Sequence, residues 1–130
     1  MKTVILAGGL GSRLSEETYK IPKPMVKIDG KPILFHILKL YDFYSIKNFI
    51  ICTGYKNLII NKYFIKTFKI QIISKKKNYL KIFIKKYGWT IELIYSGINC
   101  GTGGRLLRAK KYLVNTEDFC LTYGDGLSNI

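Results

Sequence analysis

Arg13, Lys23 and Asp125 are the residues whose types and surroundings could do chemistry, and each stands in or near a run of glycine or proline. Arg13 follows Gly8-Gly9-Leu10-Gly11-Ser12, which itself follows the apolar Thr3-Val4-Ile5-Leu6-Ala7. Glycines ending such a run let the backbone take positive φ and let a ligand come close to the main chain. Successive N–H groups in such a loop can converge on an anion, and a guanidinium adds a planar fork matched to phosphate oxygens. Lys23 lies between Pro22 and Pro24, a point charge on a stiff stretch of backbone. The stretch from Leu6 to Arg13, with Lys23, reads as a phosphate cradle. Asp125, between Gly124 and Gly126, is a carboxylate that can reach a hard divalent cation. A second glycine-rich stretch, Gly101-Thr102-Gly103-Gly104-Arg105, opens onto a helical pattern and offers another anion or base contact.

Two familiar phosphate-binding patterns fail here. A P-loop needs a Gly-Lys-Ser/Thr triplet, which occurs nowhere in the chain. The dinucleotide fingerprint needs a third glycine where Leu14 stands. Cys52, Cys100 and Cys120 are odd in number and lack ligand spacing, so neither a disulfide framework nor a zinc site is indicated, and thiols suit the cytosol. His36 is the only histidine, and no sequence neighbour marks it as an activated base, so a solvated or core-edge role is expected.

The formal charge of +14, from 22 Lys and Arg against 8 Asp and Glu, would by itself suggest nucleic acid. Only Arg13, Arg105 and Arg108 are arginines, however, and the lysines are spread along an Ile-, Tyr- and Asn-rich chain. That is a compositional bias, and no nucleic-acid partner is expected. The N-terminal apolar run breaks at Gly8, too short for a signal-peptide core or a spanning helix. A cytoplasmic location without a membrane partner is expected.

The elements that must hold these residues alternate. A length of 130 residues suits one domain. Strands are expected at Thr3 to Ala7, Asn48 to Thr53, Trp89 to Tyr95 and Phe119 to Tyr123. Helices are expected from Pro32 to Tyr41, from Lys56 to Phe68 and from about Arg105 to Val114. That alternation implies right-handed crossovers and a parallel sheet, with ligands beyond the carboxyl ends of its strands. Residues 69–88 mix Lys75-Lys76-Lys77 and Lys85-Lys86 with isoleucines, and periodicity does not choose among an excursion, a hairpin and an amphipathic helix. A solvated lysine-rich flap is favoured there over a contact to phosphate or a neighbouring subunit.

Leu-Ala-Gly-Gly-Leu-Gly-Ser-Arg-Leu, followed nine residues after Leu14 by Lys23-Pro24, resembles the signature of the sugar-nucleotide pyrophosphorylases, a nucleotidyltransferase family. Ser15-Glu16-Glu17-Thr18, Pro22-Lys23-Pro24-Met25-Val26 and Thr102-Gly103-Gly104-Arg105 look most like its cytidylyltransferases acting on glucose 1-phosphate. The resemblance implies a Rossmann-like, GT-A-like three-layer α/β fold with a mainly parallel sheet. It covers residues 1–130 as the nucleotide-binding part of such a domain, the sugar-binding part lying beyond, so an incomplete fold and a truncated chain of weak or no activity are expected.

The implied reaction joins CTP and a sugar 1-phosphate, glucose 1-phosphate, to give CDP-glucose and pyrophosphate with Mg2+, supplying nucleotide sugar for cell-surface polysaccharide such as O-antigen. The implied nucleotide contacts are Leu6, Ala7, Gly8, Gly9, Gly11, Ser12, Arg13, Lys23, Thr102, Gly103 and Arg105. The resemblance further implies that Arg13 and Lys23 carry the catalysis and that Asp125 holds the metal. A homo-oligomer stays open for a full-length form. Where relatives carry Lys-Pro-Lys-Pro, this chain has Ile21-Pro22-Lys23-Pro24, one basic side chain fewer. Thymidylyl or uridylyl transfer on the same fold is one alternative, and a non-catalytic nucleotide-binding domain is the other.

Overall fold

The computed structural model describes residues 1–7, 23–54, 57–95, 109–113 and 119–123. Its centre is a six-stranded sheet, built around strands that are buried because both of their faces are covered. β1 (Lys2–Ala7) and β4 (Asn48–Thr53) are each buried at all but their first residue, as expected of β-branched and aliphatic runs inside a parallel sheet. β7 (Trp89–Tyr95) and β8 (Phe119–Tyr123) flank that pair. The order across the sheet is β5 (Ile70–Lys76), β6 (Tyr79–Ile84), β7, β4, β1 and β8, with β7, β4, β1 and β8 mutually parallel. The expected strands therefore appear where the apolar runs stand.

Residues 69–88 correct the flap reading. They form a hairpin, β5 (Ile70–Lys76) and β6 (Tyr79–Ile84), that extends the sheet antiparallel to β7. Alternate β6 residues, Leu80, Ile82 and Ile84, are buried in the core. β5 is the outer strand and mostly exposed, with a register shift between Ile72 and Ser74. Lysines and a bulge on an edge strand hinder pairing with another chain. The sheet is accordingly mixed, with its parallel part carrying the predicted topology.

A second, small hairpin joins β2 (Lys27–Ile28) to β3 (Lys31–Pro32). Its turn is Asp29-Gly30, with φ of 53° and 79°. Positive φ at both central residues is the two-residue hairpin geometry that Asp-Gly favours. α1 (Ile33–Phe43) follows at once, with Pro32 at its N-cap. Its buried Leu34, Phe35, Ile37 and Leu38 form the stripe read from the sequence. The helix stops where Ser45 enters the left-handed region at φ 65°, so that Ser45 N–H donates to the Asp42 carbonyl and Ile46 N–H to that of Tyr41.

α1 and α2 (Asn57–Thr67) pack on one sheet face. There Ile5, Phe49, Ile51, Trp89, Ile91 and Leu93 meet Leu34, Phe35, Ile37, Leu38, Ile60 and Phe64. On the other face Val4, Leu6, Ile50, Cys52 and Ile94 meet Ala109 and Leu113. The expected helix through residues 105–114 is described only over 109–113, where Lys110–Leu113 is a 3-10 turn and not a continuing α-helix. Ala109 and Leu113 nevertheless face the core as the periodicity requires. Helices above, sheet between and a turn below make the three-layer α/β arrangement.

Candidate nucleotide site

The parallel strands end in one row. In the sheet register Ala7 pairs with Thr53, Thr53 with Tyr95, and Leu6 with Tyr123. Each of these ends feeds a stretch singled out by its chemistry. β1 delivers Gly8 to Arg13, β4 delivers Gly54-Tyr55, β7 delivers the loop with Thr102 to Arg105, and β8 delivers Gly124-Asp125-Gly126. At about 4.8 Å between neighbouring strands, the end of β8 lies about 5 Å from the end of β1, and the end of β7 about 10 Å from it on the other side.

Topology singles out the same spot. After β1 the chain moves through α1 on one face to β4, and through α2 and the hairpin to β7. It then crosses to the far side of β1 as β8, and the connection packs Ala109 and Leu113 on the opposite face. The boundary of β1 and β8 is therefore the switch point, where open α/β sheets bind ligands beyond their carboxyl ends.

Of the expected contact residues, Leu6 and Ala7 are the last two of β1, and both are buried. Their side chains pack into the two cores on either side of the sheet, Ala7 toward α1 and α2 and Leu6 toward the 3-10 turn. Lys23 opens the 3-10 turn Lys23–Met25, whose Met25 is buried against α1 in the main core. The Ile33 N–H donates to the Val26 carbonyl at 2.9 Å, tying the segment after this turn to the helix start. The backbone that carries Lys23 is thus anchored two residues away. Gly8, Gly9, Gly11, Ser12, Arg13, Thr102, Gly103, Arg105 and Asp125 lie outside the described residues.

His36 is accounted for structurally, its Nε2 lying 2.7 Å from the Ile28 carbonyl at the small hairpin. Glu92 was missed by the sequence reading. It is 5% exposed in the middle of β7, on the sheet face that carries the 3-10 turn. Tyr79 Oη donates to its Oε2 at 2.7 Å, and Lys2 Nζ lies 3.3 Å from Oε1. Lys2 also donates to the Tyr112 carbonyl at 2.9 Å, while the Tyr79 and Tyr112 rings stack with centroids 4.7 Å apart. Burial and the bond to Glu92 raise the Tyr79 hydroxyl well above its ordinary pKa, so it stays a donor. This network pins the 3-10 turn that follows the second glycine loop. Its only sequence signal was a carboxylate inside an otherwise apolar strand.

A family model described as nucleotidyl transferase matches residues 2–90, well over half of the chain. The chain belongs to the nucleotidyl transferase family. Members generally use a divalent metal. The chain is 47% identical over its whole length to a glucose-1-phosphate cytidylyltransferase of Salmonella typhimurium, of which the match covers 52%. It is 42% identical to a probable glucose-1-phosphate cytidylyltransferase of Bacillus subtilis, again over the whole chain and 52% of the relative. This nucleotidyl transferase chain thus spans about half the length of the curated relatives it matches.

Among solved structures, HddC from Yersinia pseudotuberculosis complexed with GMP-PN superposes with a TM-score of 0.66 at 29% identity, over 95% of this chain and 47% of that one. A UTP-bound UGPase from Acinetobacter baumannii superposes at 0.70 with 20% identity, over 95% and 45%, a likeness of fold alone. Among the described residues no helix is long and apolar enough to cross a membrane.

Proposed function

We propose that this chain is the nucleotide-binding part, residues 1–130, of a cytidylyltransferase that joins CTP and glucose 1-phosphate to form CDP-glucose and pyrophosphate in the cytoplasm. The observation that carries the reading is the single row of strand ends, with the end of β1 at the switch point, that of β8 beside it, and those of β4 and β7 on its other side. The identity to glucose-1-phosphate cytidylyltransferases along the whole chain supports the base and the sugar.

The chemistry asks little covalent work of the protein. An oxygen of the sugar phosphate forms a bond to the α-phosphorus of the triphosphate as the bond from that phosphorus to the bridging oxygen breaks, and pyrophosphate leaves. Such transfers are accelerated by positioning and by offsetting charge. Backbone N–H groups of Gly8, Gly9 and Gly11, with the Ser12 hydroxyl and the Arg13 guanidinium, hold the triphosphate and the departing pyrophosphate. Lys23 stands against the α-phosphate and the incoming sugar phosphate, where two anions must approach. Thr102, Gly103 and Arg105 contact the base and ribose.

Asp125 fits a hard cation because its oxygens match Mg2+, which is commonly held by one or two carboxylates together with substrate phosphates. Its place beyond β8, beside the cradle strand, is what such sharing needs. When bound, Mg2+ would supply positive charge that offsets the negative charge of the phosphates. Among the described residues no group of three or more acids, histidines or cysteines could hold a metal.

Calorimetry of this chain with CTP, UTP, dTTP and GTP, each with Mg2+, tests the reading. CTP is expected to bind most tightly, and Arg13→Gln to weaken it at least tenfold. Equal binding of all four would overturn the base assignment, and a preference for dTTP or UTP would move the chain to the thymidylyl or uridylyl class.

A further inference from the structure

A cleft of about 830 Å³ lies on the helical side of the sheet, away from the row of strand ends. Lys69, Lys85, Lys86 and Tyr87 on its wall flank the first residue of β5, the last of β6 and the first of β7. Ile84 pairs with both Ile70 and Trp89, so these residues sit at the amino end of β7. The candidate nucleotide loops leave its carboxyl end, six residues and about 20 Å further along. The β6–β7 side of the cleft is therefore remote from those loops, while its opposite wall, at Lys27, follows Lys23 in the chain.

The lining is one-sided in chemistry. Lys27, Lys31, Lys69, Lys85 and Lys86 contribute five ammonium groups, and among the described residues no acidic one lines the cleft. Among the described residues none of the five is in an ion pair. Lys31 Nζ lies 4.8 Å from the Phe35 ring centroid and Lys86 Nζ 5.5 Å from that of Tyr87, so ring faces orient two of them. The remaining wall is aromatic. Phe35 stacks near Phe68 at 6.1 Å and meets Tyr87 edge-on at 6.0 Å, and Tyr63 packs edge-on against Phe68 at 5.7 Å. Tyr63 and Phe68 are partly buried, so the wall is braced by the core behind it.

Concave, largely apolar walls with a few convergent charges, in a volume of this size, are the usual form of a small-molecule site. Converging cations without carboxylates select phosphate, and a rigid aromatic wall adds preference for a flat ring. We propose that this cleft binds a nucleoside diphosphate, phosphates toward Lys69, Lys85 and Lys86 and ring against Tyr63, Phe68 and Tyr87, as a second site distinct from the nucleotide loops at the strand ends. An occupant there joins α1, α2 and the β6–β7 turn, whose side chains share one core cluster with Trp89.

The test uses the 130-residue chain, uniformly labelled with nitrogen-15, titrated with CDP, pyrophosphate or cytidine without metal while amide shifts are followed. CDP is expected to move the amides of Thr67 to Lys69 and Lys85 to Gly88. The double variant Lys69→Gln with Lys86→Gln, both at exposed positions, is expected to weaken that response at least tenfold. Cytidine is expected to leave those amides unmoved, and pyrophosphate to move them at concentrations several-fold higher than CDP. Unmoved amides at millimolar CDP, or an unaltered response in the double variant, would overturn the site. Pyrophosphate binding as tightly as CDP would overturn the ring contact. Amides of residues 8–13 report the strand-end loops separately, so failure of the cleft and failure of the proposed function are told apart.

Discussion

Replacing Tyr79 by Phe isolates one oxygen in the network that holds the second sheet face. The substitution keeps the ring, and with it the stack on Tyr112 at 4.7 Å, and removes only the donor 2.7 Å from Glu92 Oε2. The Glu92 side chain is 7% exposed, so water has little room to replace the lost bond. A hydrogen bond to a charged group contributes about 1.5–3 kcal/mol, and a buried acceptor left without its donor keeps its desolvation penalty. Tyr79→Phe should therefore cost about 2 kcal/mol. With a urea slope of about 1–3 kcal/mol per molar for small proteins, the midpoint should fall by about 1 M at constant slope.

Lys2→Met removes the facing partner and the bond to the Tyr112 carbonyl. The two changes share Glu92, so their effects should be non-additive by more than 0.5 kcal/mol, the coupling expected of residues in one network. Hydrogen exchange at Tyr112 and Leu113 should rise in both variants, because the network fastens the 3-10 turn. A Tyr79→Phe loss below about 0.5 kcal/mol, or additive losses in the pair, would refute the claim that this network bears on stability.

Three further outcomes follow from local geometry. Asp42 bonds to Lys47 and accepts from buried Trp89 Nε1 at 3.0 Å, and the bond to Lys47 above all holds its carboxyl below the ordinary value of 3.8. A lowered folded-state pKa stabilises above the unfolded value and loses that contribution as pH falls through the folded value, so Asp42→Asn should flatten acid unfolding below about pH 4 in a circular-dichroism titration. Tyr63 shows the opposite sign: burial pushes its hydroxyl up from 10.0 to about 12, so stability should decline as pH rises from about 10 to 12, and Tyr63→Phe should reduce that slope. Ser45 occupies a left-handed helix end at φ 65°, where glycine is the favoured residue, so Ser45→Gly should raise thermal stability by about 0.5 kcal/mol, and a loss would contradict the cap.

How legible each element was depended on how many of its faces are covered. β1, β4 and β7 are covered on both sides, so unbroken runs such as Thr3 to Ala7 announced themselves and ended at glycine or at a polar residue. β5 is an outer strand mostly in solvent, and its irregularity between Ile72 and Ser74 breaks the two-residue period, so Lys75-Lys76-Lys77 read as a loose flap. Of the expected helix through residues 105–114, Ala109 is helical and Lys110–Leu113 tightens to a 3-10 turn, a distinction that periodicity over four residues cannot make. Glycine loops at strand ends were visible by type and position. The Glu92 network was not, because Lys2 and Glu92 stand 90 residues apart and only the sheet brings them together.

The lysine cleft hid for the same reason, and its separation from the strand ends constrains how the two places could influence each other. Its cations come from the small hairpin, the end of α2 and the β6–β7 turn, so no single window of sequence contains them. Across about 20 Å of sheet, two or more screening lengths at physiological salt, direct attraction between the lysines and a triphosphate is weak. Mechanical continuity is stronger. Phe35, which lines the cleft, lies 6.0 Å from Trp89, and Tyr87 stacks on Trp89 at 4.3 Å. Trp89 begins β7, and β7 ends at the residue that delivers the second glycine loop. Any influence of a cleft occupant on the nucleotide loops would therefore run through aromatic packing and the register of one strand, not through the charge that makes the cleft conspicuous.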